Sequence, residues 1–292
     1  MTTSPVSVRV DDAPRSPAPP PAPAEPAPPN GETPPLTLSP ATCCVCGDEA
    51  SEPTAVTEDF DFRTSPDTFL AQQCGGCGSV YLSLVPSEQS AAQTYPAAYR
   101  PPRTTRWSSA FEAGARTFEP GLPVRSSRLL DAAREREQYD HAILALTLEH
   151  APDPAEVLTA VRAVLRPGAR AVVVLHNLRS PAFALFKGRH WGGYDVPRQR
   201  RILSAEGLGR LAAHAGLEVA GLSTVAAADP WTRSLRRLCQ DWHAPTWLAN
   251  RFGDGALAST AFFGALDSLL SLLGRGALLV ATLRRPEREP LP

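Results

Sequence analysis

Four of the six cysteines stand in two CxxC pairs, Cys43-Cys44-Val45-Cys46-Gly47 and Cys74-Gly75-Gly76-Cys77-Gly78. Two such pairs a few tens of residues apart have the spacing of a four-thiolate zinc site, each turn supplying two corners of a tetrahedron. Gly47 and Gly78 follow the second cysteine of each turn. Glycine there permits a positive φ and lets backbone N–H groups reach the sulfurs. A redox dithiol would need only one pair, so Cys43, Cys46, Cys74 and Cys77 are the expected ligands, with Cys44 a bystander. A site closed by four cysteines is structural, not catalytic.

A second set of reactive groups, Glu149–His150 and His176–Asn177, is positioned by residues 140–177. Residues 141–148 are mostly apolar and short enough for a buried strand. Asp153 and Pro154 read as an N-cap and a first helical residue. Val157, Leu158, Val161, Val164 and Leu165 recur at helical spacing, and Pro167–Gly168 is the expected stop. Residues 171–175, AVVVL, form a second strand, continuous in valine and leucine as parallel strands covered on both faces are. This is a right-handed βαβ unit. In such units ligands collect at the carboxyl ends of the strands, which is where both pairs stand.

The other elements follow from local pattern. Residues 1–40 hold 13 of the 31 prolines and few large apolar side chains, so a disordered Pro/Ala-rich tail is expected. Residues 80–82 continue the second cysteine turn as a strand. Residues 126–137 read as a helix with a serine cap. Residues 205–215 are a helix stopped by Gly216, and residues 217–225 a strand. Residues 231–250 are helical with a break at Pro245. A strongly apolar helix carrying Phe262, Phe263, Leu266, Leu269, Leu270 and Leu273 precedes a last strand at residues 277–283.

Net charge over the 292 residues is −1, which gives no general attraction to nucleic acid or anionic surfaces. Residues 41–100 carry eight acidic side chains against two basic ones. That is the wrong sign for a phosphate-binding ribbon, so no nucleic-acid partner is expected. The N-terminus lacks a charged-then-apolar signal. Residues 257–273 are interrupted by Asp267, so no membrane span is expected and a cytoplasmic location is the default.

The order of these pieces resembles class I S-adenosylmethionine (SAM)-dependent methyltransferases with an N-terminal zinc ribbon. The resemblance covers about residues 41–286. It rests on CCVCG and CGGCG, TYPAAY at 94–99, LTLEHAPDP, LRPGARAVVVLHN, GRHWGGYDVPR at 188–198, and the closing GRGALLVATLRRP. It implies an α/β fold with a sheet of order 3-2-1-4-5-7-6, SAM bound at the end of the first strand, and a glycine-rich loop after that strand. Here Leu129-Leu130-Asp131 matches the strand end, but Ala132-Ala133-Arg134-Glu135 stands where the glycines belong. Nine residues then separate Asp131 from the βαβ unit, whereas a crossover alone needs about 10–12. The expectation is a truncated Rossmann-like sheet, 4-5-7-6, with flanking helices. The fourth strand becomes a new edge, covered by the helix at 126–137.

The expected organisation is a tail at 1–40, zinc ribbon and connector at 41–100, a truncated methyltransferase-like domain at 101–286 and a short tail at 287–292. The resemblance implies His150 near the transferred methyl, where it could take an acceptor proton, and Glu149 on the cofactor side. It also implies His190, Trp191, Tyr194, Asp195 and Arg198 on the acceptor side. Loop roles remain open for each: His150 bonding nearby backbone, Glu149 capping, Asp195 pairing with Arg198. After Arg198 the family pattern has a histidine; this chain has Gln199. Two readings compete. One is a SAM-dependent methyltransferase of a sugar, glycan or natural-product intermediate. The other is a non-catalytic remnant that binds a partner, for example a complete homologue.

Overall fold

The computed structural model describes residues 35–95, 139–253 and 255–287 in full, and the backbone of 7–10 and 124–127. Its organising element is a six-stranded sheet, β11-β12-β9-β8-β1-β7. The strands are β1 (Ser7–Val10), β7 (Val124–Ser127), β8 (Tyr139–Ala145), β9 (Leu165–His176), β11 (Glu218–Val225) and β12 (Leu278–Arg284). β7, β1, β8 and β9 are parallel, and β12 runs antiparallel to both β9 and β11. The expected four strands are therefore present in the expected order, with the last one reversed.

Two features correct the sequence reading. The fourth strand of the family's sheet, β8, is not an edge: Ser7, Val8 and Arg9 pair with His141, Ala142 and Ile143, and β7 lies outside β1. Part of the segment expected to be tail thus supplies a strand, consistent with the period-2 alternation of Ser7-Val8-Arg9-Val10. Ser126 and Ser127, expected to open a helix, lie in β7. Their helix propensity is offset by strand pairing, which local pattern does not see. Residues 128–138, including Leu129-Leu130-Asp131 and the position where the resemblance puts a glycine loop, lie outside the described residues, as do 1–6, 11–34, 96–123, 254 and 288–292.

The βαβ unit forms as its sequence dictates, with shifted boundaries. β8 ends at Ala145, because Leu146 adopts φ +59°. A branched side chain there is strained, but Leu146 is buried against Val172, Val174 and Leu278. Helix α2 (Pro154–Val164) is capped by Asp153, whose carboxylate accepts from the N–H groups of Ala155 and Glu156 at 2.8 and 3.2 Å. Val157, Leu158, Val161 and Val164 bury its inner face, each contributing about 1.5–3 kcal/mol. The helix turns straight into β9, so Pro167 and Gly168 belong to the strand and not to a separate turn. Proline forces the residue before it to be extended, which suits a strand start. Helix α4 (Ala205–His214) packs beside α2 through Leu208 and Leu211.

The ribbon is a four-stranded antiparallel sheet, β10-β5-β4-β3, of β3 (Ser51–Glu58), β4 (Thr68–Cys74), β5 (Val80–Leu82) and β10 (Arg201–Ile202). β10 comes from far downstream, so ribbon and main sheet interlock. A two-stranded ladder of β2 (Leu38–Pro40) and β6 (Leu84–Pro86) starts the ribbon slightly before residue 41, and the short helix α1 (Glu88–Ala91) follows. Helices α3 (Pro181–Phe186), α5 (Asp229–Asp241), α6 (Thr246–Asn250) and α7 (Leu257–Leu272) complete the described fold. No helix among the described residues is long and apolar enough to cross a membrane.

Candidate functional site

The two cysteine turns meet. Cys43 Sγ lies 3.5 Å from Cys77 Sγ and 3.8 Å from Cys46 Sγ, and Cys46 Sγ lies 3.4 Å from Cys74 Sγ. All four sulfurs lie within 4.8 Å of one another. A zinc tetrahedron with bonds of about 2.3 Å has edges of about 3.8 Å, so the set fits that ion. Gly47 and Gly78 adopt φ +67° and +68°, and their N–H groups donate to Cys43 O and Cys74 O. Burial pushes the Cys43 thiol up, while the N–H groups of Cys46 and Val45 aimed at its sulfur pull it down. Cys44 is exposed. Zinc bound here would cross-link the two turns, and four thiolates leave no open position for chemistry.

The knuckles sit directly on the main domain. Ser204 caps α4: its Oγ accepts from Gly207 N at 2.8 Å and donates to Cys77 O, and its backbone N–H donates to Ser79 Oγ at 3.1 Å. Gly207 leaves room at that contact, since a Cβ there would force Ser79 Oγ to shift.

Beyond β8 and β9, the expected site residues form two buried networks. In the first, Glu149 accepts from His176 N at 2.9 Å through Oε1. Its Oε2 lies 2.7 Å from His176 Nδ1 and accepts from Gln199 Nε2 at 2.9 Å. Gln199 Oε1 in turn accepts from Asp195 N at 3.0 Å. Glu149, His176 and Gln199 are all buried. Burial pushes the Glu149 carboxyl up, but the His176 ring and amide outweigh it and hold the group below the usual carboxylate range. The backbone joins in: Glu149 O accepts from Arg200 N and Arg201 N, at the start of β10. Asn177 bonds Gly276 O through Nδ2 and Arg179 N through Oδ1, joining β9 to the turn before β12.

The second network centres on Arg198. Its guanidinium bonds Asp59 bidentately at 2.8 and 3.0 Å, reaches Asp195 at 3.1 Å and Thr94 O at 2.9 Å, and stacks over Phe62. Burial disfavours its charge; Asp195 and Asp59 outweigh that and keep it charged. Asp61, the next ribbon acid, bonds Arg233 and Arg237 of α5, and Arg237 also donates to Trp191 O and Tyr194 O. Trp191 is fully buried, edge-on to His176, Phe183 and Tyr194 at 4.8–5.6 Å between ring centroids. Tyr194 donates to Lys187 O at 2.9 Å. His190 is partly exposed and pairs with Asp241 at 3.0 Å. His150 is half-buried at the β8 end.

Thus Trp191, Tyr194, Asp195 and Arg198 join one buried cluster, while His150 and His190 keep exposed surface. Sequence reasoning did not foresee Gln199 and His176 as partners of Glu149, nor Asp59, Asp61 and Arg237 as a clamp. The signal for the clamp was present. An acidic ribbon turn, Asp59-Phe60-Asp61-Phe62, faces an arginine-rich helix carrying Arg233, Arg236 and Arg237.

A family described as methyltransferase domain matches residues 76–222, half of the chain. The chain belongs to that family. The match starts within the second cysteine turn and ends in β11, so it takes in the Glu149–His176–Gln199 network, Arg198 and β10, while Asp59, Asp61, Arg233 and Arg237 lie outside it. Similar solved structures include the [4+2]-cyclase SpnF, at 22% identity over 60% of this chain and 60% of that one, TM-score 0.32. Another is the Burkholderia thailandensis 1,6-didemethyltoxoflavin-N1-methyltransferase, at 16% over 59% and 54%, TM-score 0.31. A third is a SAM-dependent methyltransferase from Mesorhizobium loti, at 15% over 61% and 78%, TM-score 0.32. The chain thus spans less than two thirds of the length of the first two. A search of curated proteins found no match.

Among the described residues, the SAM that the family implies would meet the segment that follows β8. This segment reads Leu146-Thr147-Leu148-Glu149-His150, of which all but His150 are buried. Both Glu149 oxygens are already engaged. These residues alone do not fit the cofactor.

Proposed function

We propose that this methyltransferase-family protein serves SAM-dependent methylation of a sugar, glycan or natural-product intermediate. His150 supports the reading most directly. It stands in the segment that follows the carboxyl end of β8, half-buried beside Glu149, where a group that takes an acceptor proton would be held. Glu149, His176 and Gln199 act as positioning residues in this reading, fixing the strand ends through their mutual bonds. Arg198 and Asp195 hold the acceptor-side loop against the ribbon, and His190 is its member with exposed surface.

A specific observation favours the second reading, a non-catalytic partner of a complete homologue. Glu149, Trp191, Tyr194, Asp195 and Arg198 are all buried, and the polar side-chain groups of Glu149, Tyr194, Asp195 and Arg198 already bond other side chains or neighbouring backbone. The two readings separate in a calorimetric titration of zinc-loaded protein with SAM. Micromolar binding by this chain alone, with methyl transfer lost in His150→Ala, supports the enzyme. Binding only after a complete homologue is added supports the partner. Hydrogen bonds contribute about 1 kcal/mol each. The β8 side by itself is expected to bind no tighter than millimolar, on the order of 4 kcal/mol, so micromolar binding requires the side of the sheet beyond β8 to contribute.

A further inference from the structure

Helix α7 is largely apolar, yet much of it faces outward. Its single charge, Asp267, is fully buried and accepts from Ala227 N, Ala277 N and Trp231 Nε1 at 2.8–2.9 Å. These three bonds fix which side of the helix turns inward. The outward side carries Leu257, Phe262, Leu269 and Leu272, which are 63–83% exposed, with Leu273 just beyond. A contiguous exposed apolar face of this kind marks an interaction surface.

What borders this face names its occupant. Just past α7, Gly274 and Arg275 join Leu178, Arg179, Ala184 and Leu273 around an open cleft of 660 Å³. Arg179 follows the carboxyl end of β9. Arg251 precedes α7, and Lys187 follows α3. All four cations are exposed, and none has an acidic partner among the described residues. Trp242 and Trp247, on the neighbouring α5–α6 segment, are 71% and 65% exposed. Apolar face, unneutralised cations and exposed tryptophans are the chemistry of a helix lying in a bilayer interface. At 16 residues, or about 24 Å, α7 is too short to span. Isologous pairing of two copies would bring the same uncompensated cations together twice; an anionic surface neutralises them.

We propose that this face docks on an anionic phospholipid bilayer, with α7 lying along the surface and the Arg179–Arg275 cleft taking a lipid phosphate. The proposal does not depend on catalysis.

The test is flotation of the full, zinc-loaded chain with vesicles of phosphatidylcholine, or of phosphatidylcholine mixed with phosphatidylglycerol. Binding to the mixed vesicles should exceed binding to neutral ones by tenfold or more and fall with added salt. Leu269→Asp and Leu272→Asp should each cut it by at least tenfold. Arg179→Gln and Arg275→Gln should each cut it about fivefold. All four side chains are exposed, so zinc content and circular dichroism should not change, which separates lost docking from lost folding. Absence of binding, or equal binding to both vesicle types, overturns the proposal. So does a dimer in light scattering that Leu272→Asp dissolves while vesicles stay unbound, since the cover would then be a second copy.

Discussion

At the scale of single residues, the charges between ribbon and sheet decide most. Asp59 and Arg198 are both buried, and a buried pair is worth most when one partner is removed. Asp59→Asn takes from Arg198 one of the two carboxylates it bonds, leaving Asp195. It should destabilise the protein by about 3 kcal/mol, the low end for such pairs, read as a lower urea midpoint. The pH dependence follows from the same contact. Burial pushes Asp59 up, but its bonds from Arg198 and Thr64 hold it below the ordinary range, and Asp61 is likewise lowered by Arg233 and Arg237. A carboxyl with a depressed folded pKa contributes stability above its unfolded value, about 3.9, and loses it as pH falls through the folded one. Melting temperature should therefore hold down to about pH 4 and fall steeply below it. The fall should be shallower in Asp59→Asn.

At the scale of elements, the junction of α4 with the second cysteine turn gives a paired comparison. Gly207→Ala drives a methyl into Ser79 Oγ and should cost about 1–3 kcal/mol by overpacking. Gly209→Ala, on the same helix with open space around it, should instead stabilise by about 0.5–1 kcal/mol. Thermal melts of the two variants check both signs. How far these elements were legible depends on how local their causes are. The Asp153 cap, the α2 stripe and the two glycine-ended turns are written in neighbouring residues, and they stand where the sequence placed them. β10 has two residues and no pattern of its own; it is a strand only because β5 offers an edge. β1 sits in a proline-rich stretch whose composition hid a four-residue alternation. The pairing of Glu149 with His176 and Gln199 joins three segments, and no periodicity reports that.

At the scale of the whole molecule, the zinc ribbon is part of the main fold and not an appendage. Asp59 and Asp61 reach the loop at 188–198 and α5, while Ser204 and Ser79 join the cysteine turn to α4. Removing zinc should therefore loosen the main domain as well. Chelation, or Cys74→Ser, should abolish zinc binding and reduce the near-ultraviolet circular dichroism from Trp191 and Tyr194. Cys44→Ser should keep one zinc per chain by elemental analysis. The interlocking also sets an order of events during synthesis. Ser79 and Ser204 lie 125 positions apart in the chain. A ribosome adding about 5–20 residues per second needs on the order of 10 s to cover that distance. Through that interval β5 shows an open ladder of N–H and C=O groups, with the strand that will cover it still unmade. An unpaired edge of this kind invites other nascent chains, so the newborn protein's most exposed moment comes after its cysteines have emerged and before residue 202 has.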